Sequence, residues 1–304
     1  MSAIAELDPT RFRVGRSSLR GFELAFVDEG AGPVLLLVHG WPETKRIWWR
    51  NIGPLAAAGF RVIAPDLRGF GESGIAPDGF EDVPSHSRDL AALLDELGVG
   101  TCVPVGGDLG GAIIQDFARR YPARVSRLVI FNSPLPYLKD RMSGLRTRPA
   151  LEASDYFVRQ GTDANALARE LETPEQRRRY IASFYGSRFW AHPGTFTREA
   201  VDFMTEPFAD AAKLRASFGN YESSFDPAKR SEPPLLGENA AHALILFGAS
   251  DHVIYPDFDR MAAQVFPDHV GPFLIRDSGH FLQWEAAEVL NSAIRAFCRD
   301  LLPH

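Results

Sequence analysis

The chain has 304 residues, 45% of them apolar, a net charge of −6 and two cysteines. That length holds one large core, or a core with a modest insertion, and the composition carries no bias toward disorder. The acidic balance comes without a basic face, which argues against a nucleic-acid or anionic-membrane partner, and the longest strongly apolar run, Pro33 to Val38, is far too short to cross a bilayer.

Met1 to Arg16 mixes Glu6, Asp8, Arg11 and Arg13 among its apolar residues, so it lacks the uninterrupted run of a signal peptide, and a cytoplasmic location is expected. Short β-rich runs at Arg11 to Val14 and Phe22 to Val27 come first, then a buried-strand run Val34 to Val38, a helical stretch Arg46 to Ala58 and a strand Arg61 to Ala64. The alternation continues with a helix Ser85 to Leu97, a strand Cys102 to Val105, a helix Gly110 to Arg120 and a strand Arg127 to Phe131. Strand and helix in turn predict a parallel sheet covered by helices on both faces.

After Pro134 the strand signal stops. Helical segments rich in Arg, Glu, Phe and Tyr follow, broken at Gly161, Pro174 and Pro193-Gly194, and Arg177 to Arg179 sit among Glu172, Glu175 and Gln176 as on a solvated helix. Pro233-Pro234 and Gly237 punctuate a linker; strands resume at Ala243 to Phe247 and Phe273 to Ile275, and an amphipathic helix Glu285 to Leu301 closes the chain. The expected division is a core over 1–134, an inserted helical cap over 135–231 and the rest of the core over 232–304. Cys102 and Cys298 fall in apolar segments and read as filler, with no disulfide. There is no internal repeat, heptad pattern or low-complexity tract.

The stretch Val105-Gly106-Gly107-Asp108-Leu109-Gly110-Gly111 places an acid between small residues at a strand-to-helix junction. A nucleophile elbow needs this shape: glycine-sized neighbours two positions on either side let a sharp turn lift its central side chain above the sheet. A phosphate loop would need a Lys-Ser/Thr ending, which is absent, and would not present an acid to phosphates. His39-Gly40-Trp41-Pro42 follows the buried strand, where an oxyanion hole would take the backbone N–H of Trp41 together with that of Leu109. His39 itself reads as a structural hydrogen-bonding residue. Gly248-Ala249-Ser250-Asp251-His252 and Asp277-Ser278-Gly279-His280-Phe281 each follow a strand, where sites on parallel sheets form. The chain order Asp108, Asp251, His280 is then nucleophile, acid and base; Asp277 competes as the acid but lies too close in sequence to His280 to orient its ring well.

With these motifs, and with Asp66-Leu67-Arg68-Gly69-Phe70-Gly71-Glu72-Ser73 as a structural turn, the sequence resembles the α/β-hydrolase superfamily and within it the epoxide hydrolases, over nearly the whole chain. The resemblance implies an α/β-hydrolase fold, a small-molecule epoxide and water as partners, and neither cofactor nor metal. A carboxylate, with a reference pKa of about 3.9, is ionised at neutral pH and can attack a saturated carbon without a base. His280, held by Asp251, would then activate water against the resulting ester. The resemblance also implies two cap tyrosines that donate to the oxirane oxygen. Tyr156 and Tyr221 fit that pattern, although Tyr180 and Tyr185 are eligible and all four could simply pack the cap. Trp41 stands where a smaller aromatic is usual and Leu109 where tryptophan is frequent. Leu109 and Ala112 also occupy positions where haloalkane and fluoroacetate dehalogenases carry halide- or carboxylate-binding residues. Dehalogenation with the same nucleophile is the alternative reading, and a non-catalytic binding protein of the same fold is a third. Homo-oligomer formation is left open.

Overall fold

The computed structural model describes residues 7–149 and 151–303. The leader reading over Met1 to Arg16 therefore falls partly, at residues 1–6, outside the described residues.

The strands are β1 (Val14–Leu19), β2 (Phe22–Gly30), β3 (Val34–Val38), β4 (Arg61–Pro65), β5 (Val103–Gly106), β6 (Leu128–Phe131), β7 (Ala243–Gly248) and β8 (His269–Ile275). They form one sheet in the order β1-β2-β4-β3-β5-β6-β7-β8. β1 pairs antiparallel with β2 and β2 with β4, while all later pairs are parallel. The central strands are buried along nearly their whole length, Val34 at the start of β3 being half-buried, as the Val34-Leu-Leu-Leu-Val38 run requires of a sheet covered on both faces. From β3 the chain steps out to β4 and then returns to the other side of β3 as β5. The order thus reverses at β3 and β5, and the crevice beyond their C-terminal ends is where a site can open.

The helices are α1 (Ile52–Ala57), α2 (Val83–Glu96), α3 (Asp108–Arg120), α4 (Leu151–Thr162), α5 (Ala164–Glu170), α6 (Pro174–Tyr185), α7 (Arg198–Thr205), α8 (Ala211–Ser217), α9 (Gly219–Phe225), α10 (Phe258–Val265), α11 (Leu282–Glu285) and α12 (Ala287–Phe297). Local signals start several of them. The Asp82 side chain caps α2 at Ser85 N, and Thr173 with Gln176 forms a reciprocal capping box on α6 behind Pro174. Between β6 and β7 the described residues form helices and turns but no strand.

Several expected elements shift. The strand expected at Arg11 to Val14 begins at Val14, because Arg20 and Gly21, both at positive φ, form a tight hairpin that pairs Leu19 with Phe22 and draws β1 downstream. The stretch Arg46 to Ala58 is two pieces, a 3-10 turn at Lys45–Trp48 and then α1; Pro54 lacks an N–H and so fits only in a helix's first turn. The closing helix Glu285 to Leu301 splits at Ala286, where Glu285 turns back to the loop before α11. β8 is longer than expected, since an edge strand with a register shift tolerates Gly271-Pro272. Arg177 is buried rather than solvated, and its guanidinium donates to the carbonyls of Ala209, Leu171 and Glu172. Cys102 and Cys298 are buried free thiols.

Candidate active site

Asp108 opens α3, with only Gly107 between it and β5, at φ +47°, a left-handed conformation that an aspartate tolerates better than most side chains. The turn closes only around glycines. A Cβ on Gly106 would lie 2.8 Å from the carbonyl carbon of Gly110, and one on Gly110 would lie 2.2 Å from the Val38 carbonyl oxygen. The carboxylate therefore rises at the N-terminus of a helix whose dipole favours negative charge. Its Oδ1 accepts the Trp41 backbone N–H at 2.7 Å, and its Oδ2 lies 3.1 Å from His280 Nε2.

His280 Nδ1 is 2.9 Å from Asp251 Oδ2. Asp251 is held in turn by the N–H groups of Val253 and Ile254, at 2.8 and 3.2 Å on Oδ1. Burial pulls the His280 pKa down, but the charge of Asp251 and the hydrogen bonds to Asp108 and Asp251 prevail and raise it well above the usual histidine value. The competing acid, Asp277, is exposed on the turn after β8 and holds no part of the ring. Asp108, Asp251 and His280 thus meet from three separate strand ends. Leu109 follows Asp108 in the first turn of α3, where a backbone N–H has no intrahelical acceptor.

His39 is tied into the scaffold. Its Nε2 accepts Leu67 N–H at 2.9 Å and its Nδ1 donates to Gly40 O at 2.8 Å, while burial lowers its pKa to about 4. The Asp66 to Ser73 turn buttresses the same loop. Asp66 accepts the Lys45 backbone N–H and ammonium at 2.8 and 2.6 Å and the Glu72 N–H at 2.8 Å.

The residues after β6 bring four aromatic rings over this floor. Trp41 stacks on Tyr156 with centroids 5.4 Å apart and an interplanar angle of 6°, and meets Tyr221, Phe184 and Trp190 edge-on. Tyr156 and Tyr221 meet edge-to-face with centroids 5.6 Å apart, their hydroxyls near enough to influence each other's ionisation. Burial, then the nearby charge of Asp108, raises the Tyr156 pKa far above the ordinary phenol; burial does the same to Tyr221, helped by Tyr156 and Asp108. Both phenols therefore stay protonated at neutral pH. The other two tyrosines are engaged elsewhere: Tyr185 donates to Pro42 O at 2.6 Å, and Tyr180 accepts from Gln160 Nε2 at 2.9 Å.

The residues that match a known family model are 33–287, and that model is described as the alpha/beta hydrolase fold. The chain belongs to the alpha/beta hydrolase fold family. Among relatives of this hydrolase-fold chain, bifunctional epoxide hydrolase 2 of Sus scrofa is 32% identical over 93% of this chain and 55% of that protein. The chain thus spans about half of the pig protein's length. An epoxide hydrolase of Caballeronia sordidicola is 27% identical, with 92% of each chain covered. The solved structure of the epoxide hydrolase CorEH without ligand superposes with a TM-score of 0.82 at 22% identity, covering 95% of this chain and 99% of that one, which is a likeness of fold.

Three positions that no motif flagged organise this hydrolase-fold site. Asn132, fully buried after β6 at φ +39°, accepts Asp108 N–H on its carbonyl at 2.8 Å and Gly248 N–H on Oδ1 at 2.9 Å. Its Nδ2 donates to Gly279 O at 2.7 Å and His280 O at 3.1 Å, so one residue, through backbone and side chain together, ties the strand ends that carry Asp108, Asp251 and His280. The Glu285 carboxylate accepts N–H groups from His192, Gly279 and Phe281 at 2.7, 2.9 and 2.9 Å, fixing the loop that carries His280. Glu43 accepts Gly40 N–H at 2.6 Å and Gln283 Nε2 at 2.7 Å; burial, reinforced by the charge of Asp108, pushes its pKa up to about 7. The available signal was faint: an asparagine just past a strand, and acids beside small-residue turns.

Among the described residues no cluster of three His, Cys, Asp or Glu side chains could hold a metal ion. No described helix is long and apolar enough to cross a membrane.

Proposed function

We propose that this chain hydrolyses epoxides to vicinal diols through a covalent ester on Asp108. The observation that carries the reading is a carboxylate, rather than a hydroxyl, at the elbow, set between a paired histidine and two protonated phenols. The epoxide-hydrolase relatives support it.

In the first step an Asp108 oxygen forms a bond to an oxirane carbon as the C–O bond of the ring breaks, and the departing oxygen takes a proton from Tyr156 or Tyr221. Ester formation removes the charge of Asp108, one of the influences that hold His280 protonated. The imidazolium can then give up its proton, which returns the tyrosinate to a phenol, and become a neutral base. In the second step His280 takes a proton from water, which attacks the Asp108 carboxyl carbon; the oxyanion is received by the N–H groups of Trp41 and Leu109. Collapse expels the diol oxygen, which takes the proton of the regenerated carboxyl group. Asp251 keeps the imidazole in register throughout. Residues 135–231 serve as the cap that supplies the tyrosines. The two buried free thiols fit a reducing, cytoplasmic setting.

If Trp41 were to hold a halide its indole N–H would have to be free, yet Trp41 Nε1 donates to Ser217 Oγ at 3.1 Å. Incubation with styrene oxide, 1,2-dibromoethane and fluoroacetate tests the assignment. Diol from styrene oxide without halide from the other two is expected; halide release without diol would overturn it, and no product from any of the three favours the binding-protein reading.

A further inference from the structure

Between α4 and α6 lies a cavity of about 270 Å³, just below the range of small-molecule sites, which run from about 300 Å³ upward. Its inner wall is Tyr156, Phe184 and Trp190. These rings pack on one another with centroids 5.5, 5.0 and 5.0 Å apart, and all three also pack on Trp41, whose backbone holds Asp108. Trp190 lies 4.7 Å from the His280 ring as well. A single layer of aromatic rings thus separates the cavity from the reacting groups. Tyr156 belongs to both sides, half-buried against the cavity while its hydroxyl meets Tyr221.

The outer rim carries Glu152, Asp155 and Arg159, all exposed. Arg159 is paired with Glu170, whereas among the described residues no cation is paired with Glu152 or Asp155. The uncompensated charge at the mouth is therefore negative.

We propose that this cavity is the entrance to Asp108, gated by Tyr156, Phe184 and Trp190, and that its acidic rim selects neutral or cationic epoxides over epoxides bearing a carboxylate. The selectivity rests on the epoxide reading above. A substrate carboxylate passing ~7 Å from each rim acid meets, in water, a penalty of roughly two- to three-fold per charge, and salt screens it.

Two arms test the proposal. In the first, kcat/KM is measured for styrene oxide and for its 4-carboxylate at low and high salt, in wild type and in the Glu152→Lys/Asp155→Lys variant. Each replacement removes one repulsion and adds one attraction, so the variant should raise the carboxylate-to-neutral ratio roughly 16- to 80-fold at low salt, with the gain collapsing at high salt. In the second, Ser183→Cys at the cavity wall is blocked with a bulky methanethiosulfonate; Cys102 and Cys298 are buried, with thiol pKa values pushed up to about 12, and do not compete. Blocking should lower kcat/KM for styrene oxide at least ten-fold, and reductant should restore it. An unchanged ratio overturns the rim selectivity, and full activity in the blocked enzyme overturns the entrance. If wild type forms no diol at all, the epoxide reading fails, and the selectivity fails with it.

Discussion

Asp108 is useful as a carboxylate because three things converge on it: a helix N-terminus, the Trp41 N–H on one oxygen and His280 at the other. An Asp108→Ala variant keeps the elbow's small-residue geometry but has no attacking group, so diol formation should be abolished while the circular dichroism spectrum stays native. Turnover near the wild-type rate would sink the assignment. Tyr156 and Tyr221 differ from Tyr180 and Tyr185 in that their hydroxyls influence each other while those of Tyr185 and Tyr180 are bonded to a backbone carbonyl and an amide. Tyr156→Phe and Tyr221→Phe should each slow alkylation, by about 10²-fold if the phenol is the main proton donor, and the double variant should be nearly inactive. Rapid-quench measurement of ester formation checks this; two single variants with wild-type rates would mean the pair is wrongly chosen.

The elements matter because Asp108, Asp251 and His280 sit on three loops that need a common reference. Asn132 supplies it, and its loss would orphan Gly248 N–H and Gly279 O, each costing about 1–3 kcal/mol if left buried without a partner. Asn132→Ala should lower both the urea midpoint and kcat. Asn132→Gly, which keeps the left-handed backbone accessible, should recover part of the stability and little of kcat; full recovery of kcat would show that the side-chain bonds do not position the loops. Gly110→Ala should destabilise by about 3 kcal/mol, since its Cβ would press on the backbone oxygen of Val38. The same contrast explains what could be read from the sequence. Asp108, Asp251 and His280 were legible because each follows an apolar strand and is flanked by small residues, a local pattern. Asn132 was not, because its partner Gly279 lies 147 positions away and the bond exists only once β6, β7 and β8 are adjacent. Tyr156 and Tyr221 could be singled out only through the family resemblance; what distinguishes them from Tyr180 and Tyr185 is hydroxyl direction, which helical periodicity does not encode. The strands of the parallel sheet were placed well by their apolar runs, whereas the hairpin at Arg20-Gly21 and the break at Ala286 turned on backbone conformation and on Glu285 reaching back to the His280 loop.

Across the whole molecule, the buried charges make stability depend on pH in a stated direction. Glu81 is buried beside Gly219 at the start of α9, with Oε2 lacking a hydrogen-bond partner; burial raises its pKa to about 8 against the pull of Arg68, with Asp89, Asp78 and Asp82 adding to the rise. The folded protein then holds a proton that the unfolded chain releases from about pH 4.5 upward, so this contribution to stability is full below that pH and is lost as pH rises through about 8. Glu81→Gln should flatten the melting profile over that window and melt higher than wild type above it; parallel profiles from pH 5 to 9 would contradict the assignment. The central claim, a covalent ester on Asp108, is tested most directly on the intact protein. With His280→Gln the base of the second step is gone while the nucleophile and phenols remain, so incubation with styrene oxide should leave the enzyme heavier by the mass of one epoxide, with the added mass on the peptide containing Asp108. An unmodified mass, together with wild-type diol fully labelled in a first turnover in ¹⁸O-water, would contradict the ester and leave direct attack of water on the epoxide as the mechanism.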